Sequence, residues 1–269
     1  MSDSLRARIV TAAVLIALLL VVLFALPPVA TECVLGLTLL LGAWEWSAFC
    51  KLRRPWLRGA YVLAVAVAMG LAWRLSRTRA GLELLLGAAV LWWLVALAWL
   101  TLAPRVRRGS AAIAGICSLA PAGVALARLR LQGERGAEWV LFCLLVVWMA
   151  DIGAYFVGRR FGRRPLAPRI SPHKTWEGVL GGMLTCIPVA VAGSFWFSVP
   201  LGRLVALCLA AAGFSIVGDL TESLLKRFAG VKDSGRLFPG HGGVMDRIDS
   251  LTGALPVLLL GLTVMGVLS

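Results

Sequence analysis

Apolar residues run through this chain in long blocks broken by short polar segments. Nine blocks stand out, roughly 9–26, 33–50, 59–73, 81–103, 110–127, 139–157, 176–198, 204–225 and 250–268. A helix needs ~20 apolar residues to cross a bilayer, and all but the short third block approach that length. Composition agrees: 60% of the 269 residues are hydrophobic, only 15% are charged, and the mean hydropathy is +0.89. Soluble domains carry about 25% charged residues. The pattern predicts an all-α polytopic membrane protein of about nine transmembrane helices, forming a single integral membrane domain over 1–269. The first block follows Arg6 and Arg8 and precedes Pro27, Pro28 and Ala30, as in a signal peptide. Its apolar run exceeds the 7–15 residues of such a signal, so a retained helix is expected.

The net charge of +14 is distributed unevenly. If the nine blocks alternate across the membrane, one side receives Arg6, Arg8, Lys51, Arg53, Arg54, Arg58, Arg105, Arg107, Arg108, the six cations from Arg159 to Lys174, Lys226, Arg227, Lys232, Arg236 and Arg247. The other side receives Arg74, Arg77, Arg79, Arg128, Arg130, Arg135 and Arg203. Twenty cations against seven place the N-terminus in the cytoplasm and the C-terminus outside. Topology and contact with anionic lipid account for the charge, and no nucleic-acid partner is expected. The cysteines lie in or beside apolar blocks with no CxxC pair, and His173 and His241 are far apart. Neither a zinc site nor a disulfide framework is indicated.

Chemistry concentrates after residue 138. The first part, 1–137, reads as scaffold helices, and 138–269 as catalytic helices and cytoplasmic loops. Glu45, inside Trp44-Glu45-Trp46, reads as an interfacial anchor. Asp151, Glu177, Asp219, Glu222 and Asp249 lie in or beside apolar blocks. A carboxylate at membrane depth is costly and usually faces a working cavity, although Glu177 and Asp249 also suit first-turn helix positions. Asp219, Glu222, Ser223, Lys226 and Arg227 share one face of a helix. Beyond them, Pro239-Gly240-His241-Gly242-Gly243 reads as a loop whose N–H groups reach phosphate oxygens, followed by Asp246 and Asp249. Acids for a hard cation, bases for phosphates and a glycine cradle are the parts of phosphoryl or nucleotidyl transfer. A charged loop with a flexible turn would explain the glycines alone, but not the acids beside them.

The stretch Ser223 to Asp249 fits S-x-L-K-R-x4-K-D-x-G-x2-F-P-x-H-G-G-V-x-D-R-I-D throughout. In this it resembles the phosphatidate cytidylyltransferases. A second segment, Asp151-Ile-Gly153-Ala-Tyr155-Phe-Val-Gly158-Arg159 followed by Ser171-Pro172-His173-Lys174-Thr175-Trp176-Glu177-Gly178, is similar to the same family. The likeness is strong over 138–269, whereas the first half matches only as apolar spans. It implies transfer of the CMP moiety of CTP to phosphatidic acid, giving CDP-diacylglycerol and pyrophosphate. It also implies Mg²⁺ with room for a second cation, a homodimer, and a multi-pass protein of the cell (inner) membrane with its site open to the cytoplasm. Asp219 and Asp246 match the family's metal ligands. Ser223, Lys226, Arg227, Lys232, Asp233, His241, Arg247 and Asp249 match other motif positions, as do Gly242 and Gly243, read as substrate-binding.

The lipid phosphate monoester is itself a nucleophile, so the chemistry needs no covalent enzyme intermediate and no strong base. Lys226, Arg227, Lys232 and Arg247 would offset charge on two anionic substrates. Ser171 and Pro172 fit a helix cap, with Lys174 and that helix N-terminus holding a phosphate, and a plain cap fits equally. Two other readings remain: an isoprenoid-ether analogue as the lipid phosphate, and a cation or proton transporter using the intramembrane acids. A cysteine placed at Ser234 should resist an impermeant thiol reagent on intact cells and react once they are opened. Labelling from outside would reverse the topology.

Overall fold

The computed structural model describes residues 3–102, 106–235, 237 and 242–268, and for 3–9 the backbone alone. Among the described residues nine α-helices follow one another: α1 (Asp3–Phe24), α2 (Pro28–Phe49), α3 (Pro55–Leu75), α4 (Arg79–Thr101), α5 (Arg108–Arg130), α6 (Gly136–Phe161), α7 (Trp176–Phe197), α8 (Leu201–Ala229) and α9 (Met245–Val264). Helices α2 to α9 are each long and apolar enough to span a membrane, and α1 contributes the shorter apolar stretch Val10–Phe24. The third span is not short: α3 extends to Pro55 and Leu75, so Arg58 and Arg74 lie within it. Likewise α8 continues through Lys226 and Arg227 to an αL cap at Gly230, where φ is 78° and glycine has no Cβ penalty.

One element departs from the helical plan. A two-stranded antiparallel hairpin, β1 (Pro165–Ala167) and β2 (Ser171–Thr175), stands between α6 and α7, pairing Pro165 with Thr175 and Ala167 with Ser171. Ser171-Pro172 is therefore strand, not the cap of a helix. The cap of α7 is Thr175, whose hydroxyl accepts the Gly178 N–H at 3.1 Å.

The connections separate to two ends of the bundle. At one, Arg227 Nε donates to the Ile170 carbonyl, Lys51 lies 3.9 Å from the Phe228 ring centroid, and Ile170, Leu166 and Val106 pack on Leu220 and Leu224. At the other, Arg130 reaches the Leu26 carbonyl, Arg128 Nε reaches Ser76, and Trp196 Nε1 donates to Glu138 at 2.9 Å. The cation-rich segments thus gather at one end, as the alternation of spans requires.

Helices α6 and α7 approach closely because small residues face each other, as is general where lipid offers no hydrophobic drive. A Cβ on Gly181 would overlap Val157 and crowd the Gly153 carbonyl, and one on Gly153 would overlap Thr185. Helices α8 and α9 meet in the same way at Gly218 and Gly253, against the Asp249 and Phe214 carbonyls. The halves of the chain are not separate cores: Leu225 and Met245 sit in one cluster with Trp46, Phe49, Tyr61 and Leu119. Gly181→Ala should lower the melting temperature of the detergent-solubilised protein by an amount equivalent to ~1–3 kcal/mol, the usual penalty of overpacking. An unchanged melting curve would contradict this packing.

Candidate active site

Ten residues before the end of α6 stands Asp151, and ten before the end of α8 stands Asp219, each about 15 Å inside its helix end. Both line a cavity of about 650 Å³ bounded by α6, β2, the start of α7 and α8. Its polar lining includes Tyr155, Arg159, Ser171, His173, Lys174 and Thr175. Strand β2 carries Lys174 over the cavity, where its ammonium forms an ion pair with Asp219. Ser223 Oγ donates to Asp219 Oδ1 at 3.4 Å. The hairpin is held to α7 by Glu177, whose Oε2 accepts the backbone N–H groups of Arg163 and Arg164 at 3.0 and 3.2 Å. Glu177 thus organises the loop before its helix.

A second polar cluster lies beneath the first turn of α9. Glu222 is fully buried, and Lys226, one turn along α8, pairs with it and with Asp246 Oδ1 at 2.7 Å. Although Lys226 contacts Glu222, neither Glu222 oxygen has a hydrogen bond of good geometry. The ion pair is the contact that matters, since Coulomb attraction is tolerant of angle where hydrogen bonding is not. Asp246 Oδ2 accepts the N–H groups of Ser234 at 2.9 Å and Gly243 at 2.8 Å. Asp249, buried beside these, lies within electrostatic range of both Asp219 and Glu222, and Asp151 within range of Asp219 and Arg247.

The α8 face read from spacing therefore divides in two. Asp219 lines the cavity and pairs with Lys174, with Ser223 bonded to it, while Glu222 and Lys226 turn to α9 and Asp246. Asp249 sits where the two clusters meet. Arg227 is exposed and reaches the hairpin, and Arg247, Lys232 and Asp233 are exposed at the same end. His241 lies outside the described residues. Gly242, at φ 80°, and Gly243 leave no room for a Cβ because the Asp246 and Glu45 carboxylates press against them. The Gly243 N–H, read as a phosphate donor, is given to Asp246.

Two acids gain a place that sequence reasoning withheld. Asp151, marked there by its place in an apolar block and in the second family-like segment but given no role, shares the cavity with Asp219. Glu45 is not an interfacial anchor: it is nearly buried, and it accepts the N–H groups of Val244 at 3.0 Å and Met245 at 2.8 Å and the Ser234 hydroxyl at 2.7 Å. Trp46 beside it is core, its indole N–H donating to the Ala111 carbonyl, while Trp44 is the surface residue, stacked under Arg58. The signal for Glu45 was the same as for the other acids, a lone carboxylate inside an apolar span.

A cavity walled by two carboxylates, a lysine and an arginine, among helices long and apolar enough to span a membrane, has the chemistry to take an anionic phosphate next to lipid. Sequence comparison agrees, since residues 6–265 match the model of the cytidylyltransferase family. The chain belongs to that family. It is 39% identical over 277 residues to a phosphatidate cytidylyltransferase of Haemophilus influenzae, an alignment covering 94% of this chain and 96% of the relative. A phosphatidate cytidylyltransferase of Pseudomonas aeruginosa is 41% identical over 264 residues, covering 94% and 95%. One from Staphylococcus aureus is 39% identical over 145 residues, 53% of this chain.

Lys226→Met should strand Glu222 without its counter-charge, and breaking a buried pair costs about 3–5 kcal/mol. A lowered melting temperature, largely restored by adding Glu222→Gln, is expected. Equal instability of the single and double variants would show that the pair does not hold α8 to α9.

Proposed function

We infer that this chain transfers the cytidylyl group of CTP to phosphatidic acid, forming CDP-diacylglycerol and pyrophosphate. The observation that carries it is the pairing of Lys174 with Asp219 in an intramembrane cavity, beside the Lys226–Asp246 pair, in a chain so similar to phosphatidate cytidylyltransferases. Nothing in the comparisons favours an isoprenoid-ether substrate or a transporter.

The lipid phosphate approaches along the membrane and the nucleotide from water, so the site must sit at their boundary. The cavity suits that need, for its lining runs from Asp151 and Asp219, well inside their helices, to His173 and Lys174 on the hairpin. An oxygen of the lipid phosphate attacks the α-phosphorus of CTP in line, and pyrophosphate departs with its electron pair. Lys174, Arg159 and Arg247 supply positive charge toward the two anions, and Lys226 fixes Asp246. Positioning and charge neutralisation are then the protein's contribution.

Mg²⁺ suits this donor set. Among the described residues no three His, Cys, Asp or Glu side chains converge as a ready-made metal cage. Mg²⁺, however, usually binds through one or two carboxylates plus substrate phosphates and water. Buried Glu222 and Asp249, with Asp219 in electrostatic range of Asp249, face Lys226 as the cation paired with Glu222, and leave a surplus of acid that a hard cation would offset. Asp219 and Asp246 are the ligands we assign, with Asp249 in range of both clusters, and a second cation rests on the family resemblance. When bound, the ion would neutralise phosphate charge. We place the cation-rich end in the cytoplasm of the cell (inner) membrane, on the cation asymmetry and the cytosolic location of CTP. A homodimer rests on the family resemblance.

Purified protein given CTP, phosphatidic acid and Mg²⁺ should release pyrophosphate and CDP-diacylglycerol, and excess EDTA should stop it. Asp219→Asn and Asp246→Asn should each reduce turnover by roughly 10²–10³-fold or more, the scale for losing one electrostatic element of a preorganised site. The double variant should be scarcely worse than either single. Asp246→Asn should also lose some thermal stability, because it removes a partner of Lys226. Near-normal turnover in either single variant, or full turnover in EDTA, would contradict the assignment.

A further inference from the structure

Helix α9 begins without a cap of its own. Its N-cap residue, Val244, has no capping side chain, so its first N–H groups need an acceptor from elsewhere. Glu45 supplies it from α2: Oε1 takes the Val244 N–H at 3.0 Å and Oε2 the Met245 N–H at 2.8 Å. A carboxylate at a helix N-terminus is also favoured by the helix dipole. Arg58, held by Ser47 Oγ and the Trp44 carbonyl, is the cation in electrostatic range of this nearly buried acid. Gly235 and Gly243 leave the space in which the Glu45 carboxylate lies, for a Cβ on either would overlap its oxygens.

The same Glu45 oxygen reaches toward Asp246 through a single hydroxyl. Ser234 Oγ lies 2.7 Å from Glu45 Oε2 and 2.9 Å from Asp246 Oδ2. A serine hydroxyl has one hydrogen, so it donates to one of these carboxylates and not both. Given to Glu45, at the shorter distance, it leaves a lone pair on Oγ for the Asp246 N–H, which points at it from 3.2 Å. Asp246 Oδ2 then keeps two donors, the N–H groups of Ser234 and Gly243. Given to Asp246 instead, it becomes a third donor on that oxygen and draws on the charge a cation would use.

We infer that Glu45 is a positioning residue for Asp246: it caps α9 from α2 and holds the Ser234 hydroxyl away from Asp246, whose Oδ1 already holds Lys226, keeping a third donor off the Oδ2 that a divalent cation would share. This gives the N-terminal helices a direct part in the site, and it rests on the proposed function only in taking Asp246 as a cation ligand. Groups standing behind a ligand typically change metal affinity by about 10–100-fold when removed. Gln at position 45 offers one acceptor oxygen where the donors need two, and its NH₂ faces an N–H or the hydroxyl.

The test compares wild type, Glu45→Gln, Ser234→Ala and the double variant, in detergent. Mn²⁺ binding without substrates is followed by electron paramagnetic resonance, and turnover is followed against Mg²⁺ concentration. Glu45→Gln should weaken Mn²⁺ binding by roughly 10–100-fold. It should raise the Mg²⁺ needed for half-maximal turnover similarly, with most of kcat recovered at high Mg²⁺. Hydrogen exchange at the Val244 and Met245 amides should quicken. In the Ser234→Ala background, replacing Glu45 should cost cation affinity little, because the competing hydroxyl is gone. Unchanged Mn²⁺ binding in Glu45→Gln, a turnover loss that Mg²⁺ does not relieve, or equal affinity losses in both backgrounds would overturn the inference. If Glu45→Gln does not fold, Ser234→Ala decides alone: cation affinity is held or raised, and a fall overturns the inference. Wild type that binds Mn²⁺ and shows these effects without converting CTP and phosphatidic acid would sink the proposed function and leave the role of Glu45 standing.

Discussion

The structure depends on how a fully buried carboxylate, Glu222, is kept in the membrane. A lone charge there would be expelled or neutralised. Lys226 answers it from the next turn and shares its ammonium with Asp246. That sharing ties α8 to the first turn of α9. It also fixes Asp246 near Asp249, which lies in range of Asp219 and so joins the inner cluster to the cavity. Helix contacts follow suit: Gly218 and Gly253 bring the α8 and α9 backbones close enough for the pair to form.

Much of this was legible in the sequence. The apolar blocks mark the spans because nothing but a helix satisfies the backbone of a single segment in lipid. Of the acids in or beside the apolar blocks, Glu222 and Asp249 are buried and so demand a compensating charge, whereas Asp151 is exposed and Glu177 half-buried. Helical spacing correctly joined Asp219 to Ser223 and Glu222 to Lys226. It could not say that these pairs turn to different neighbours, since that depends on how α7 and α9 pack. Ser171-Pro172 was misread because serine before proline suits a helix start, whereas the pairing of Ala167 with Ser171 makes the segment strand. Glu45 was missed for a related reason: its partners are 189 to 200 residues away, and two flanking tryptophans imitate an interfacial belt.

The glycines of the α8–α9 loop show how one residue type carries two meanings. From sequence they read as a backbone cradle for phosphate. In the structure Gly243 gives its N–H to Asp246, and Gly235, Gly242 and Gly243 make space for the Asp246 and Glu45 carboxylates. The positive charge beside the cavity acids comes instead from side chains, Lys174 paired with Asp219 and Arg247 in electrostatic range of Asp151. In this chain the motif-bearing second half thus takes part of its shape from Glu45 on α2.

The central claim is a direct displacement at the α-phosphorus by the lipid phosphate, in a site that positions and neutralises but forms no covalent bond. The stereochemical course tests this most directly. With CTP carrying a chiral α-thiophosphate, one in-line transfer to phosphatidic acid predicts inversion at phosphorus in the CDP-diacylglycerol formed. Retention would mean two displacements through a cytidylylated enzyme and would contradict the account.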